Sequence, residues 1–511
     1  MCIRVITEGD AGPVAGDAGP VAGDAGPVAG QGPAGPVRPA ARSGWRCPGG
    51  RAPRALRTLS EMTHLAIEHR ENDKIGALYD WLHALAVVVA GLIAMAVVAA
   101  LGMWLAGASN FSEGAFLHVL AAAVVMAVGG SMRLQGNAGF IARTDAGIAV
   151  VPLSVSLAGA LVIAVAFLLP LRHRAVAGTG ELLGRVARTV ILWLGALALL
   201  AMAARHTFTV SLEDSTVSDI GEAFGATPTV GFHADYGPTL GFGLLWLLVV
   251  LTVALAASRR APLPSRLLSY QESVRPVAFA TVMVLLAYVA VGAVVGVVVA
   301  LTQGHTRDTF AVIFLGLPNL VWLAFGLGLD ATWDGHVNGG IGLPMPEVLA
   351  AVLRTPAREN VTLGLSSLSH YDGRVWLLPV ASAVMLLLAG FVAAVRSPVT
   401  MPPWRHAVHL GLGVAAAVLV IGLVTRISAH YGLSLLGVDS GRLSDIADLL
   451  GAGGGGGGAA EGAVVLRPNL AVGVPLGALW GLIAGFLGSL LATPVRRRGE
   501  VVDAEPPRAT V

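Results

Sequence analysis

Long apolar segments separated by short polar connections run through most of the chain. With a window of about 19 residues, ten segments are apolar enough to be membrane spans. They are residues 84–107, 115–130, 148–170, 186–204, 240–257, 277–301, 309–329, 375–395, 407–425 and 472–492. A helix needs about 20 such residues to cross a bilayer, and only helices satisfy their own backbone there. The pattern therefore predicts an all-α polytopic integral membrane protein.

Two of these segments differ from ordinary crossings. Segment 115–130 has only 16 residues, including Gly129-Gly130 at its end, which is short for a span. Segment 309–329 carries Pro318-Asn319 at its middle, where proline removes a backbone hydrogen bond and favours a break. We predict that both are re-entrant or broken segments that return to the side from which they enter.

The distribution of arginine supports this interpretation. If all ten segments cross, the Arg-dense connections 171–185 and 258–276 fall outside, against the positive-inside rule. With eight crossings they are cytoplasmic, and the acidic or polar loops 205–239 and 426–471 lie outside. We predict eight transmembrane helices plus two re-entrant segments in the plasma membrane, with both termini cytoplasmic. Ten transmembrane helices remain the alternative.

A two-fold internal repeat is the next prediction. The segments Asp145–Pro152 and Asp372–Pro379 have the same spacing from Asp to Pro and lie at an offset of 227. Pro238 and Pro468, each before a late span, lie at an offset of 230. We place the first membrane repeat at 75–260, the second at 277–495 and a cytoplasmic tail at 496–511. Re-entrant segments would make the halves parallel, whereas full crossings would make them inverted.

The N-terminal residues 1–61 form a separate, low-complexity region. A seven-residue unit, Asp-Ala-Gly-Pro-Val-Ala-Gly, occurs three times from residue 10, and Pro and Arg dominate the rest. Such a sequence cannot bury a core, so we predict a disordered tail. Our hypothesis is that translation starts at Met62. Both cysteines, Cys2 and Cys47, lie in this tail, which leaves the membrane part without thiol chemistry.

Composition narrows the function classes. The 511 residues are 55% hydrophobic and 13% charged, with a net charge of +2, which argues against a nucleic-acid partner. No Asp, Glu, Lys or Arg lies at the centre of a span, which disfavours a proton pump with a buried carboxylate relay. We find no cofactor motif, no metal signature and no nucleophile elbow, and we predict that the chain is not an enzyme.

Two groups of residues are candidate substrate-binding sites. Pro318 and Asn319 could line a path, because a helix broken inside a membrane exposes backbone groups that can bind a ligand. Asp330, Asp334 and His336 follow at once and could bind a polar group. Each group has a structural alternative, a proline kink for the first and an ordinary turn for the second.

Three motifs resemble those of the streptophobe family, multi-pass membrane proteins of actinobacteria. They are Leu317-Pro-Asn-Leu-Val-Trp322, Asp330-Ala-Thr-Trp333 and Leu368-Ser-His-Tyr-Asp-Gly-Arg374, and the resemblance covers about residues 75–495. The resemblance implies an actinobacterial plasma membrane. It implies neither a substrate nor catalytic residues.

The leading functional prediction is a permease-like protein whose path is lined by Pro318-Asn319 and which carries a small-molecule substrate. The alternative is a non-transporting scaffold or partner-binding protein of the cell envelope, presenting the outer loops 330–374 and 426–471. A membrane-embedded transferase has only Asp330 and Asp334 in its favour. The lipid bilayer is a partner in every case.

Overall fold

A computed structural model describes the backbone of most of the membrane part. The described residues are 54–108, 114–138, 142–170, 179–209, 229–258, 268–302, 304, 306–338, 361–398, 400–435, 438–439 and 461–495. Of the predicted N-terminal tail, residues 1–53 lie outside this set, as does the whole predicted tail 496–511. The chain divides into two compact units, 1–70 and 71–511.

Ten long helices carry the described membrane part, five in each half of the chain. Those of the first half are α1 (Arg54–Leu105), α2 (Ala115–Ala127), α3 (Leu153–Leu168), α4 (Thr179–Ala203) and α5 (Tyr236–Ala257). Those of the second half are α6 (Leu268–Thr302), α7 (Thr306–Gly328), α8 (Leu377–Arg396), α9 (Pro403–Val424) and α10 (Leu470–Leu491). A short helix (Leu365–Ser369) and a 3₁₀ turn (Gly373–Trp376) precede α8.

Eight helices among the described residues are long and apolar enough to cross a membrane, which confirms a polytopic membrane protein. The number agrees with the prediction, but two members differ. Helix α3, predicted to cross, has only 16 residues, because residues 148 and 149 of that segment belong to a strand. Helix α7, predicted to be broken, has 23 residues and is long enough.

The loops on one side of the helices form a nine-stranded antiparallel sheet, which we did not predict. In chain order the strands are β1 (Met132–Ala138), β2 (Ala142–Ala149), β3 (Arg205–Thr209), β4 (Thr229–Ala234), β5 (Trp333–Asn338), β6 (Val361–Leu363), β7 (Ile427–Leu435), β8 (Val438–Asp439) and β9 (Glu461–Pro468). Their order in the sheet is β3-β4-β1-β2-β7-β9-β5-β6, with β8 paired to β7.

This single sheet limits the number of crossings. Strand β4 leads directly into α5, and α7 leads directly into β5, so three helices leave the sheet and return to it. A chain that leaves one side of a membrane and comes back crosses an even number of times. At most two of α5, α6 and α7 can therefore cross, and the alternative of ten transmembrane helices does not fit this sheet.

Helix α7 is the one whose contacts keep it near the sheet. The carbonyl of Ile313, toward the middle of α7, accepts a hydrogen bond from Ser154 in the first turn of α3. The carbonyl of Phe325, near the end of α7, accepts one from Ser382 near the start of α8. Both α3 and α8 begin beside the sheet, so the middle and the end of α7 lie at similar depth. Helix α7 therefore runs beneath the sheet, although its length would allow it to cross.

The two halves repeat the same order of elements: helix, helix, strand pair, helix, helix, strand pair, helix. Their strands also follow the same order in the sheet, β3-β4-β1-β2 and then β7-β9-β5-β6.

The pattern of buried positions along the helices also repeats between the two halves. The buried positions 239, 243, 247, 251 and 254 of α5 correspond to buried positions 473, 477, 481, 485 and 488 of α10. Positions 189, 193, 197 and 201 of α4 correspond to buried positions 410, 414, 418 and 422 of α9.

This correspondence corrects one of the two pairs of positions from which the repeat was predicted. Pro238 lies in the first turn of α5, whereas Pro468 ends strand β9. The structural equivalent of position 238 is therefore 472 rather than 468. The other pair agrees with the structure, since buried positions 155, 159, 163 and 167 of α3 correspond to buried positions 382, 386, 390 and 394 of α8.

Equivalent helices support the two halves of the sheet from below. In the second half, Trp333 and Leu466 of the sheet pack in one buried cluster with Leu327 of α7. In the first half, Met132 of the sheet packs in one buried cluster with Val125 of α2. Burial of this apolar face fixes the sheet on the helices and leaves its other face polar.

Candidate functional site

Helix α7 continues without a break through Pro318, so the predicted broken segment is wrong. The helix is continuous from Thr306 to Gly328, with Pro318 buried inside it. Proline removes only one backbone donor, here the N–H that would bond the carbonyl of Phe314, and membrane helices tolerate such a loss. The backbone carbonyls and amides expected to be exposed at a break therefore remain within the helix.

The hydroxyl of Ser154, from the other half of the chain, bonds the helical turn just before Pro318. Ser154 Oγ donates to the carbonyl oxygen of Ile313 at 2.7 Å and accepts from the backbone N–H of Leu317 at 3.2 Å. In a regular helix the N–H of residue 317 would bond directly to the carbonyl of residue 313. Ser154 thus bridges two groups of one helical turn, immediately before Pro318.

The carboxamide of Asn319 makes a second joint between the halves. Its Oδ1 accepts from the backbone N–H of Leu153 at 3.0 Å, and its Nδ2 donates to the carbonyl of Val151 at 2.8 Å. These two groups flank Pro152, the N-cap of α3, which makes no side-chain cap bond of its own. Asn319 therefore satisfies one of the unpaired N–H groups at the start of α3.

Pro318 and Asn319 consequently lie at a helix–helix joint. We name Ser154, Leu153, Leu317 and Asn319 the α3–α7 joint. Asn319 uses one donor and one acceptor on the backbone, which leaves its amide a single further N–H and oxygen lone pair. The proposal that Pro318 and Asn319 bind a substrate stays a prediction.

Asp330 ends α7 in a turn. It is exposed and has a left-handed backbone with φ of 63°. Its N–H donates to the carbonyl of Leu327 at 2.9 Å, and the N–H of Ala331 donates to Gly326 at 3.0 Å. This is the Schellman pattern of helix termination, which Asn, Asp and Gly favour. The turn alternative therefore describes the backbone of Asp330, and Gly129 has the same conformation at the end of α2, with φ of 92°.

Asp334 and His336 lie on the polar face of strand β5, opposite the buried Trp333. Thr362 Oγ1 donates to Asp334 Oδ1 at 2.8 Å, and Asp334 is in register with Arg467 on β9. The structure therefore separates these two residues from Pro318 and Asn319, which lie beneath the sheet. Among the described residues, no group of three His, Cys, Asp or Glu side chains is placed to bind a metal.

A row of basic and imidazole side chains crosses the polar face of the sheet. In register across five neighbouring strands lie Arg205, His233, Arg133, Gly147 and His430. Neighbouring strands are about 4.8 Å apart, so the row spans about 19 Å. We name it the outer row. Sequence reasoning missed this row, because its members lie in loops far apart in the chain and only strand pairing brings them onto one surface.

Local contacts hold the side chains of the outer row. Arg133 Nε donates to Asp235 Oδ2 at 3.1 Å, and Ser131 Oγ donates to the same oxygen at 3.0 Å. The guanidinium of Arg205 lies 4.7 Å from the centre of the Tyr236 ring. The ring of His430 occupies the space that a Cβ atom at position 147 would fill, which explains the glycine there. The surface is therefore organised as well as charged.

His118 is the repeat equivalent of Asn319. The ends of α2 and α7 correspond at an offset of 201, from Gly129 to Asp330, and the same offset joins His118 to Asn319. His118 Nδ1 bonds the carbonyl of Ala203 at 2.6 Å, and its ring stacks on His206 at 4.8 Å. Each half thus uses one polar side chain beneath the sheet to bind the backbone of a neighbouring element.

No protein-family model, no curated protein and no solved structure matches the chain.

Proposed function

We propose that the chain is a non-transporting membrane protein of the cell envelope, whose sheet presents a partner-binding surface on the extracytoplasmic side. One observation carries this proposal. Strand β2 of the first half pairs with β7 of the second in an unbroken register from Ala142–Leu435 to Ala149–Ser428. The halves are therefore joined into one continuous platform.

The join between the halves favours a scaffold over a permease. Alternating access is largely a rigid-body rocking of one repeat against the other. Here such a movement would strain the β2–β7 ladder and the α3–α7 joint, both of which connect the two halves on the sheet side. A partner-binding platform needs no such movement.

The polar face supplies the chemistry for a partner. Arg205, Arg133 and His430 of the outer row are exposed, and Arg467 extends the basic character toward the other end of the sheet. The Arg-dense connections 171–185 and 258–276 join helices at the ends remote from the sheet. From the positive-inside rule we infer that the sheet lies outside the plasma membrane and that the chain termini lie in the cytoplasm.

A disulfide lock between the halves tests the proposal. Ala149 and Ser428 are in register on β2 and β7, where antiparallel Cα atoms lie within disulfide range. We would combine Ala149→Cys with Ser428→Cys in a chain whose Cys2 and Cys47 are replaced by Ser. The locked protein would then be returned to cells that lack the gene. A scaffold should restore the phenotype as well as the unlocked chain does.

The matched control locks two strands of the same half. Gln135→Cys with Asp145→Cys joins the register partners on β1 and β2. A permease should lose activity when the disulfide joins the two halves and keep it when the disulfide lies within one half. That result would contradict the scaffold and favour the permease.

The permease remains the second candidate because many transporter folds are built from internal structural repeats, and the two halves of this chain repeat the same order of elements. The transferase has less support, since Asp330 forms a helix-ending turn. We expect the double substitution of Asp330 and Asp334 by Ala to leave the phenotype unchanged.

A further inference from the structure

A cleft opens between α9 and α10 at the membrane end remote from the sheet. Glycines bring these two helices into close contact: a Cβ atom at Gly481 would lie 2.8 Å from the Cα of Gly411. When small residues let two backbones approach, the larger side chains on either side stand apart from them. The result is a narrow apolar cleft along the helix pair, which we name the α9–α10 cleft.

The cleft is open to the membrane along one side and has the volume of a ligand site. Its volume is about 450 Å³, and its walls are wholly apolar, formed largely by Trp404, Val408, Ile483, Phe486 and Leu487. Ligand clefts in proteins are commonly about 300–1,000 Å³. Because α9 and α10 are membrane spans, the cleft faces hydrocarbon and an acyl chain can enter it.

A cation lies at one end of the cleft. Trp404 is in the first turn of α9 and is 59% exposed, as expected for a side chain at the membrane boundary. The guanidinium of the next residue, Arg405, lies 5.3 Å from the centre of the Trp404 ring and is exposed. An apolar cleft with a guanidinium near one end is complementary to a lipid that has an acyl chain and an anionic headgroup.

The first half of the repeat lacks these features. The equivalents of Trp404 and Arg405, at the α4-to-α9 offset of 221, are Leu183 and Gly184. The equivalent of Phe486, at the α5-to-α10 offset of 234, is Thr252. The aromatic walls and the arginine at position 405 therefore have no counterpart at the equivalent positions of the first half, and they are not required by the shared fold.

We propose that the α9–α10 cleft binds one anionic glycerophospholipid, with an acyl chain in the cleft and its phosphate at Arg405. A guanidinium binds phosphate oxygens with two parallel hydrogen bonds, whereas a zwitterionic headgroup offers its phosphate beside a cation of its own. The site is independent of the proposed role of the sheet.

The test is native mass spectrometry of the full chain purified in detergent and titrated with phosphatidylglycerol or phosphatidylcholine. We expect one phosphatidylglycerol to bind more tightly than the rest. Arg405→Gln should weaken it about fivefold, which corresponds to about 1 kcal/mol, and leave phosphatidylcholine unaffected. Leu487→Trp should remove the tight binding by filling the cleft.

Two controls separate the cleft from the general surface. Arg426→Gln removes an exposed arginine on the sheet side, and Val253→Trp adds the same bulk at the first-half equivalent of Leu487; neither should change the tight binding. Equal binding of both lipids, unaffected by Arg405→Gln and Leu487→Trp, would overturn the proposal. A dimer lost on Leu487→Trp would also overturn it, because the cleft would then hold a second copy of the chain.

Discussion

The hydroxyl of Ser154 accepts a hydrogen bond from the backbone N–H of Leu317, which lies 163 residues away in the other half of the chain. The same hydroxyl donates to Ile313, so one side chain of α3 bridges a turn of α7 just before its proline. One turn of α7 is therefore completed by a side chain from another helix.

Removing this hydroxyl should destabilise the protein. We expect Ser154→Ala to lower the free energy of unfolding by about 1–2 kcal/mol, because two backbone groups lose their partner in a membrane helix. Thermal unfolding of the purified full chain would measure the change. The matched control is Thr252→Ala, whose exposed hydroxyl bonds only Leu248 in its own helix. Equal unfolding temperatures for the two variants would contradict a role for Ser154 in α7.

Substitution of Asn319 distinguishes the joint from a substrate site. Asn319→Leu leaves the N–H of Leu153 and the carbonyl of Val151 unpaired, and we expect a loss of about 2–3 kcal/mol with reduced abundance in membranes. If Asn319 only bound substrate, the Asn319→Leu variant would lose activity while its abundance in membranes stayed unchanged. Quantitative immunoblotting of membranes measures this directly. Asn469→Leu is the control, since Asn469 makes no side-chain cap bond to its helix and should be better tolerated.

The positions of the spans could be predicted because hydropathy over about 20 residues is a local property. Pairing of the strands is not local: β2 ends at Ala149, whereas its partner β7 begins only at Ile427. Short strands between strong apolar segments also give a weak signal. Val230 and Phe232, two residues apart and therefore on one face of a strand, are a weak signal of a sheet in the loop 205–239.

The candidate site shows the same limit. Sequence reasoning selected Asn319 as a candidate site residue, which stays a prediction, and the turn was a stated alternative for Asp330. It could not identify the partners of Asn319, because Val151 and Leu153 lie at the start of another helix, α3. It also treated Pro318 as a break, since the hydroxyl that bridges this turn comes from the other half.

Sidedness of two positions tests the crossing of α3, the shortest proposed span. In a chain with Cys2 and Cys47 replaced by Ser, we would introduce Gln135→Cys on the sheet and Gly178→Cys in the connection from α3 to α4. We expect a membrane-impermeant maleimide to label Gln135→Cys in intact cells and Gly178→Cys only after permeabilisation. Labelling of both in intact cells would mean that α3 does not cross, and the topology proposed for the first half would fail.

The close approach of α9 and α10 depends on glycine at positions where any side chain would meet backbone. A Cβ atom at Gly485 would lie 2.7 Å from the carbonyl oxygen of His406 and 2.9 Å from the Cα of Ala407. Neither atom can move without shifting α9, so we expect Gly485→Ala to cost about 1–3 kcal/mol in thermal unfolding. Gly195→Ala is the matched control, because a Cβ atom at position 195 of α4 meets nothing within 4 Å. That substitution should be neutral or stabilise the helix by up to about 1 kcal/mol, since alanine is the better helix former. If both variants unfold at the same temperature, the contact between α9 and α10 is looser than these distances require.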